Sequence, residues 1–505
     1  MKPAKPKKEN MTAKEPHSIV TEKNCSALVL SSVAIAILSF LLRVIVDSDT
    51  FWQIAIGRDI IKRFQVPRID HYAAAAFGRP YHDSHWLFQV VVALADMLGG
   101  MVGVGLASTA LWGLTFLFCY KAVRRWTSPA VASLLLFLVC IACSDRFLPR
   151  PEVVTLLMIT VFYYLLQERR YTTMRHVAVF ALLQVVWANS HGLFVIGPVL
   201  GFCYLSCAFI KNDPKSKADR TALLRLVATL VAATLITPFG PDGWRYALLL
   251  AQEAGSNSSA LFQGLLELAP TFGGVARSFP DFWCYATLVV LVAATLIPTA
   301  LKRQLSWSRS VIVLLLFGLS LTGRRNMPLF ALAAAPIIAE NLQTLRGVIS
   351  FPYPARIAMA GLFLATSILP ISGVYYRTFN LPLHFGVGVA KEAYSTNLPD
   401  YLHKIGFTGV IYSPPYLGGY SLYHGFKPTV DGRWEVYDPA TLNRVLSARF
   451  NAGDWEWVMN TFTIQGVMVG FGEYDTEPLL HKLSGDKRFQ NVYSDEAVSF
   501  WLRIK

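Results

Sequence analysis

Long apolar runs separated by short basic clusters set the pattern of this chain. The first run, residues 26–46, is long enough to cross a bilayer as a helix. Further runs follow at about 103–120, 129–143, before 168–170, before 189–192, before the 211–225 cluster, before 238–240, and at 280–301, 310–322, 329–345 and 355–375. They predict about eleven transmembrane helices, with boundaries good to a few residues. The segments 121–128, 169–176, 211–225 and 302–309 are rich in Lys and Arg, which places them on the cytoplasmic side. Residues 47–98 and 377–505 then lie outside. After residue 376 the pattern changes. Strand-like runs at 408–412 and 464–469 alternate with helical periodicity near 439–449 and 455–461. The expected fold class is membrane all-α with a small extracytoplasmic α/β C-terminal domain. Residues 1–25 form a basic cytoplasmic tail, 26–376 a polytopic transmembrane domain, and 377–505 the α/β domain.

Composition agrees with this pattern. Of 505 residues, 54% are hydrophobic and 15% charged, and mean hydropathy is +0.42. A soluble domain carries about a quarter charged residues. The formal charge of +14 lies in the inner loops and the N-terminal tail rather than in one patch, so no nucleic-acid partner is expected. The first run is too long for a signal-peptide core and no small-x-small site follows it, so it reads as an uncleaved anchor. The expected location is the plasma (inner) membrane, multi-pass, with the N-terminus cytoplasmic. Cys140 with Cys143, and Cys203 with Cys207, lie in apolar runs and read as packing residues.

The stretch Asp47-Ser48-Asp49-Thr50-Phe51-Trp52 follows the first run directly. Two carboxylates therefore stand where a span would end. Beyond them Trp52, Ile56, Ile60 and Phe64 recur every four residues, which predicts a short helix lying in the membrane interface. Ser48 or Asp49 as a helix cap is the structural alternative. The outer ends of the spans hold Asp47, Asp49, Arg146, Arg150, His191, Arg324 and Arg325. In a packed bundle these groups converge on one outward-facing cavity, where acids and arginines together suit a phosphate and a neighbouring hydroxyl. Adjacent arginines point about 100° apart on a helix, so at most one of Arg324 and Arg325 faces the cavity. Arg325 lies nearer the break made by Pro328 and is the preferred one. His82-Asp83-Ser84-His85 reads either as a metal-ligand cluster or as a hydrogen-bond network. It lacks a third ligand at fixed spacing, so a divalent metal is possible and no metal site is assigned. Residues 240–279 suggest a lid or re-entrant element, and Asn257-Ser258-Ser259 fits a glycosylation sequon. The chain lacks a Walker A sequence, a dinucleotide-binding glycine turn and a nucleophile elbow.

These residues carry a resemblance. Asp47-Ser48-Asp49 after the first span, Val66-Pro67-Arg68-Ile69-Asp70, Gly78-Arg79-Pro80, His85-Trp86-Leu87, Arg150-Pro151, Asn189-Ser190-His191-Gly192, Pro238-Phe239-Gly240, Arg324-Arg325-Asn326, Gly418-Gly419-Tyr420 and Asp431-Gly432-Arg433 resemble the GT-C superfamily of polytopic membrane glycosyltransferases, in particular its bacterial members. Where many relatives have a glutamate before Trp-Leu, this chain has His85. The resemblance implies a GT-C-type bundle that transfers a hexose or pentose from a polyprenyl-phosphate donor to a lipid, glycan or protein acceptor of the envelope, with inversion. It implies an aspartate, Asp49 or Asp47, as general base. Arg324, Arg325, Arg150, His191, His85 and Asp83 become the candidate substrate-binding residues. The competing readings are a transporter or flippase of lipid-linked glycans, which predicts a polar path and often an internal repeat, and a non-catalytic assembly subunit.

Overall fold

The computed structural model describes residues 16–210, 214–255, 269–471 and 476–504. The basic residues Lys2 to Lys14, the sequon Asn257-Ser258-Ser259 and the centre of the 240–279 segment lie outside the described residues.

Each of the eleven apolar runs forms a helix, and two further helices, Asp49–Arg63 and Asp242–Gly255, lie outside those runs. In chain order these are α1 (Pro16–Leu41), α2 (Asp49–Arg63), α3 (Trp86–Arg124), α4 (Pro129–Ala142), α5 (Glu152–Gln167), α6 (Met174–Ala188), α7 (Ile196–Ile210), α8 (Pro214–Ala233), α9 (Asp242–Gly255), α10 (Pro280–Leu301), α11 (Trp307–Ser320), α12 (Met327–Arg346) and α13 (Tyr353–Ile371). Among the described residues six segments are long and apolar enough to cross a membrane: Asn24–Leu41, Trp86–Arg124, Gly192–Ile210, Pro280–Leu301, Arg324–Arg346 and Tyr353–Ile371. Helices α4, α5, α6 and α11 are apolar but shorter.

Helix α12 is the centre of the bundle and packs on α3, α4, α5, α10 and α11. Its residues from Met327 to Asn341 are buried, and Ala331, Ala333, Ala334 and Ala335 let the neighbours approach closely. A helix apolar on all sides belongs in such a position. The outward faces of peripheral helices keep Leu28, Ile35 and Leu38 on α1 and Leu362 and Ile368 on α13 exposed, as lipid contact requires.

Helix α3 bends at Gly99-Gly100, where Gly100 has φ 59°. A side chain is strained there, and glycine is not. The part before the bend exposes Val91, Leu94, Met97 and Leu98. This stretch, rather than α2, presents the apolar surface suited to a membrane interface.

The interfacial helix expected at 52–64 is therefore corrected. Helix α2 forms, but protein covers it on several sides. Trp52, Ile56 and Ile60 are buried with Tyr72, Val430 and Tyr437. Phe51 packs with Tyr394 and Tyr420, and Ile54 joins the core of the bundle with Phe88. Of the four recurring apolar residues only Phe64, the left-handed C-cap, stands out, at 94% exposure. A four-residue periodicity reports an apolar neighbour and does not say whether it is lipid or protein. The capping alternative also fails for Ser48, which sits at the N-cap without a side-chain cap bond.

The cover comes from the C-terminal α/β layer. Strands β1 (Val410–Tyr412), β2 (Lys427–Pro428), β3 (Ile464–Gly470), β4 (Phe489–Ser494) and β5 (Val498–Arg503) form one sheet in the order β2-β1-β3-β5-β4. The first three pair in parallel and the last two are antiparallel. The expected runs at 408–412 and 464–469 are β1 and β3. The helical patterns are Pro439–Ser447 and Ala452–Thr461. The β4–β5 hairpin was not legible, because its burial does not alternate regularly.

This layer is knitted to the segments that follow α1 and α2. Arg43 and Ile45 form bridges with Phe385 and Val389, Ala75 N–H donates to Thr429 O (3.0 Å), and Arg79 Nε donates to Val436 O (2.9 Å). Helix Pro415–Tyr423 lies on α2. Gly419 permits the approach, since a Cβ there would stand 2.9 Å from Ser48 O, and Gly418 lets the same helix close on Val430, whose carbonyl oxygen a Cβ would overlap.

Candidate active site

The acid pair lies where the bundle, the first loop and the C-terminal layer meet. Asp47 ends the linker from α1, and Asp49 opens α2, where a negative charge suits the helix dipole. Arg150, held in a turn between Pro149 and Pro151, bridges the two. Its Nε and one terminal nitrogen donate to Asp47 Oδ1 (2.9 and 2.6 Å), and that nitrogen is 3.1 Å from Asp49 Oδ2. Thr50 Oγ1 donates to Asp47 Oδ2 (3.0 Å), and Trp52 Nε1 donates to Asp49 Oδ1 (3.0 Å). The two acids differ in reach: the Asp47 side chain is 2% exposed and the Asp49 side chain 22%. Arg43, which the sequence reading passed over, fixes the turn that carries Arg146 and Arg150 by donating to Phe147 O and Ser144 O (2.9 Å each).

The two adjacent arginines have separate surroundings. Arg324 is buried. It donates from Nε and a terminal nitrogen to the two oxygens of Asp281 (3.1 Å each), lies 3.1 Å from Asp145 Oδ1, and stacks over Phe279. Asp145 and Asp281 were also missed; each is an isolated acid whose partner lies far along the chain. Arg325 is exposed, and among the described residues it makes no hydrogen bond or ion pair. Its charge is felt at His191.

His191 has a defined tautomer. Trp187 Nε1 donates to Thr155 Oγ1 (2.7 Å), so the single hydroxyl proton of Thr155 is free to point to His191 Nδ1 (2.8 Å). Leu193 N–H also points at Nδ1. Nδ1 is thus an acceptor, and the ring proton is on Nε2. Burial, aided by His85, Arg325 and Arg146, holds His191 well below the usual histidine range. His85, 5.6 Å away between ring centres, is lowered by burial to about 4. Both rings are therefore neutral at pH 7. Arg146 pairs with Glu152 (2.6 Å).

The stretch His82-Asp83-Ser84-His85 does not converge. His82 stacks between Phe239 and Tyr246 (4.0 and 4.2 Å), His85 faces His191, and Asp83 turns inward. Among the described residues no three His, Cys, Asp or Glu side chains are placed to hold a metal ion. Asp47 and Asp49 share the Arg150 guanidinium.

Asp83 Oδ1 accepts from His85 N–H (3.1 Å) and Gln89 Nε2 (2.9 Å). Its Oδ2, and Gln89 Oε1, are buried without a donor. Burial pushes the Asp83 carboxyl up to about 7, against the opposing effect of the His85 hydrogen bond and Arg433. A raised acid stabilises the fold fully below its unfolded value of about 3.9 and loses that contribution as pH rises toward about 7. Asp83→Asn should therefore flatten the fall in stability between about pH 4 and 7 and unfold at higher temperature than wild type at about pH 8. Thermal unfolding followed at several pH values checks this; parallel profiles for the two proteins would refute it.

No family model matches the chain, and no curated protein matches it as a relative. Solved structures do match. The apo oligosaccharyltransferase of Archaeoglobus fulgidus superposes with a TM-score of 0.58 at 13% identity, covering 88% of this chain and 69% of that one. Oligosaccharyltransferase AglB from the same organism, in complex with an inhibitory peptide and a dolichol-phosphate, gives 0.56 at 13%, covering 89% and 70%. Apo ArnT from Cupriavidus metallidurans gives 0.51 at 13%, covering 95% and 98%. The chain is a multi-pass membrane protein that shares the fold of these oligosaccharyltransferase and ArnT structures.

Proposed function

We propose that the protein transfers a sugar from a polyprenyl-phosphate donor to an envelope acceptor on the outer face of the plasma (inner) membrane. The observation that carries this reading is the Asp47–Arg150–Asp49 bridge, in which one acid is sealed and the other is reachable. Asp49 removes the proton from the acceptor hydroxyl. The acceptor oxygen attacks the anomeric carbon, the bond from that carbon to the phosphate oxygen breaks with inversion, and polyprenyl phosphate leaves with the electron pair. Asp47 and Arg150 hold Asp49 in place, since a general base works only within hydrogen-bond reach of its proton. Arg325 and the Nε2–H of neutral His191 are donors to the leaving phosphate. Mass spectrometry of envelope glycans with and without the protein tests the class of reaction. One missing sugar residue is expected, and an unchanged glycan profile would refute it.

The two arginines then separate in a simple comparison. Arg325→Lys should lower donor turnover about tenfold or more, because an ammonium does not reproduce the two-pronged contact. Arg324→Lys should mainly cost stability, since Asp281 and Asp145 lose a buried partner. Equal, near-wild-type turnover and donor affinity in both variants would remove Arg325 from the phosphate site.

The transporter reading has less support. The buried charges gather at the two ends of the bundle: the acids and arginines above, and the Arg309–Glu340 pair against Trp126 at the other. The small apolar residues of α12 lie between them. In this reading the N-terminus is cytoplasmic and residues 377–505 are extracytoplasmic. A cysteine placed at exposed Gly453 should react with an impermeant thiol reagent applied from outside, and its protection would overturn that topology.

A further inference from the structure

We propose that the Asp431-Gly432-Arg433 turn of the C-terminal layer is a positioning element for Asp49. The inference rests on the transferase reading above and deepens it. Gly432 sits directly against the acid. A Cβ there would overlap Asp49 Oδ1 and would stand 3.3 Å from its Cγ and 3.2 Å from Trp52 Nε1. The Gly432 backbone is thus the wall that, with the Trp52 N–H, confines one oxygen of Asp49, while Arg150 confines the other. The carboxylate is held from three parts of the chain: α2, the turn after α4, and the C-terminal layer.

The wall is itself rigid. Arg433 is fully buried and pairs with Asp431, with 2.6 Å between a terminal nitrogen and Oδ2, and with Asp70 of the first loop. Arg433 N–H donates to Asp431 Oδ1 (3.0 Å). Tyr437 O–H donates to Asp431 Oδ1 (3.0 Å), and its oxygen accepts from Asp431 N–H (2.8 Å). Asp70 Oδ1 accepts from Tyr72 N–H and Ala73 N–H (3.0 and 3.2 Å). Both residues that flank Gly432 are therefore locked, one of them to the loop that follows α2. A buried polar network with its members paired fixes one geometry, and the geometry fixed here is a glycine pressed on the proposed base. The C-terminal layer is on this account a wall of the catalytic site rather than an appended module.

The test uses full-length protein in lipid nanodiscs and two readouts. The first is carbodiimide labelling of carboxylates, with Asp49 and Asp47 quantified separately by mass spectrometry. It does not depend on any substrate. In Gly432→Ala the added methyl group must displace the Asp49 carboxylate, so its labelling should rise several-fold while that of sealed Asp47 stays unchanged. Gly453→Ala, at an exposed helix position, is the control and should match wild type. If Gly432→Ala does not fold, Trp52→Phe removes the N–H that holds Asp49 Oδ1 and should raise Asp49 labelling in the same way. The second readout is turnover of synthetic polyprenyl-phosphate sugars. Displacing the base should lower kcat about 10–100-fold and leave the donor KM within about twofold, because donor contacts are elsewhere. Unchanged Asp49 labelling in the folded variant would overturn the proposal. A labelling change in a protein whose wild type turns over no lipid-linked sugar would instead count against the transferase reading and leave the positioning role standing.

Discussion

Asp49→Asn should fold and insert, yet lose transfer by about two to four orders of magnitude. The amide oxygen still accepts from Trp52 Nε1 in place of Asp49 Oδ1, and Arg150 gives up its contact with Oδ2 but keeps both bonds to Asp47 Oδ1, so the local structure survives. What disappears is the proposed acceptor of the proton. Asp47→Asn should behave differently. Its side chain is 2% exposed and its partners are Arg150 and Thr50, so the change leaves Arg150 without its main counter-charge. Turnover falls less, and stability falls measurably. The comparison is steady-state turnover of the two purified variants on a lipid-linked sugar, beside their unfolding temperatures. An inactive Asp47→Asn with an active Asp49→Asn would exchange the two roles.

Arg433→Ala should be the most destabilising single change in the C-terminal layer. Arg433 is wholly buried between Asp70 and Asp431 and lies over the rings of Tyr72 and Tyr81. Its removal strands two carboxylates in the interior, which costs about 3–5 kcal/mol when one partner of a buried pair is lost. Arg433→Lys should recover little, since an ammonium does not span both acids. Replacing Arg433, Asp70 and Asp431 together by apolar residues should recover much of the loss, because the stranded charges go with it. Proteolytic susceptibility of the C-terminal layer in nanodiscs measures all three. A near-wild-type Arg433→Ala would mean that the layer does not depend on the triad.

The helices were legible because a bilayer demands long apolar runs, and the parallel strands β1 and β3 because short apolar runs stood between turn residues. The acid pair was legible from its position alone, at the end of the first run. What joins the parts was not. Arg433 and Asp70 are 363 residues apart, and no local pattern announces that they meet. The same holds for Arg324 with Asp281 and Asp145. The two neighbouring arginines look equivalent in sequence, and only the fold turns one inward and the other outward. Helix α2 misled for a physical reason: Trp52, Ile56 and Ile60 face an apolar surface as expected, and that surface is protein. Gly432 carried no signal beyond its motif, because the contact that requires a glycine comes from Asp49.

At the centre stands sugar transfer from a lipid-linked donor with Asp49 as the proposed base. Its most direct test is a reconstituted reaction: the protein in liposomes, a panel of labelled polyprenyl-phosphate hexoses and pentoses, and as acceptor an envelope extract from cells lacking the protein. The account predicts acceptor-dependent release of free polyprenyl phosphate by wild type, with the sugar recovered on the acceptor in inverted configuration, and release by Asp49→Asn lower by about two orders of magnitude or more. Movement of intact donor from one leaflet to the other, with no polyprenyl phosphate released, would contradict it.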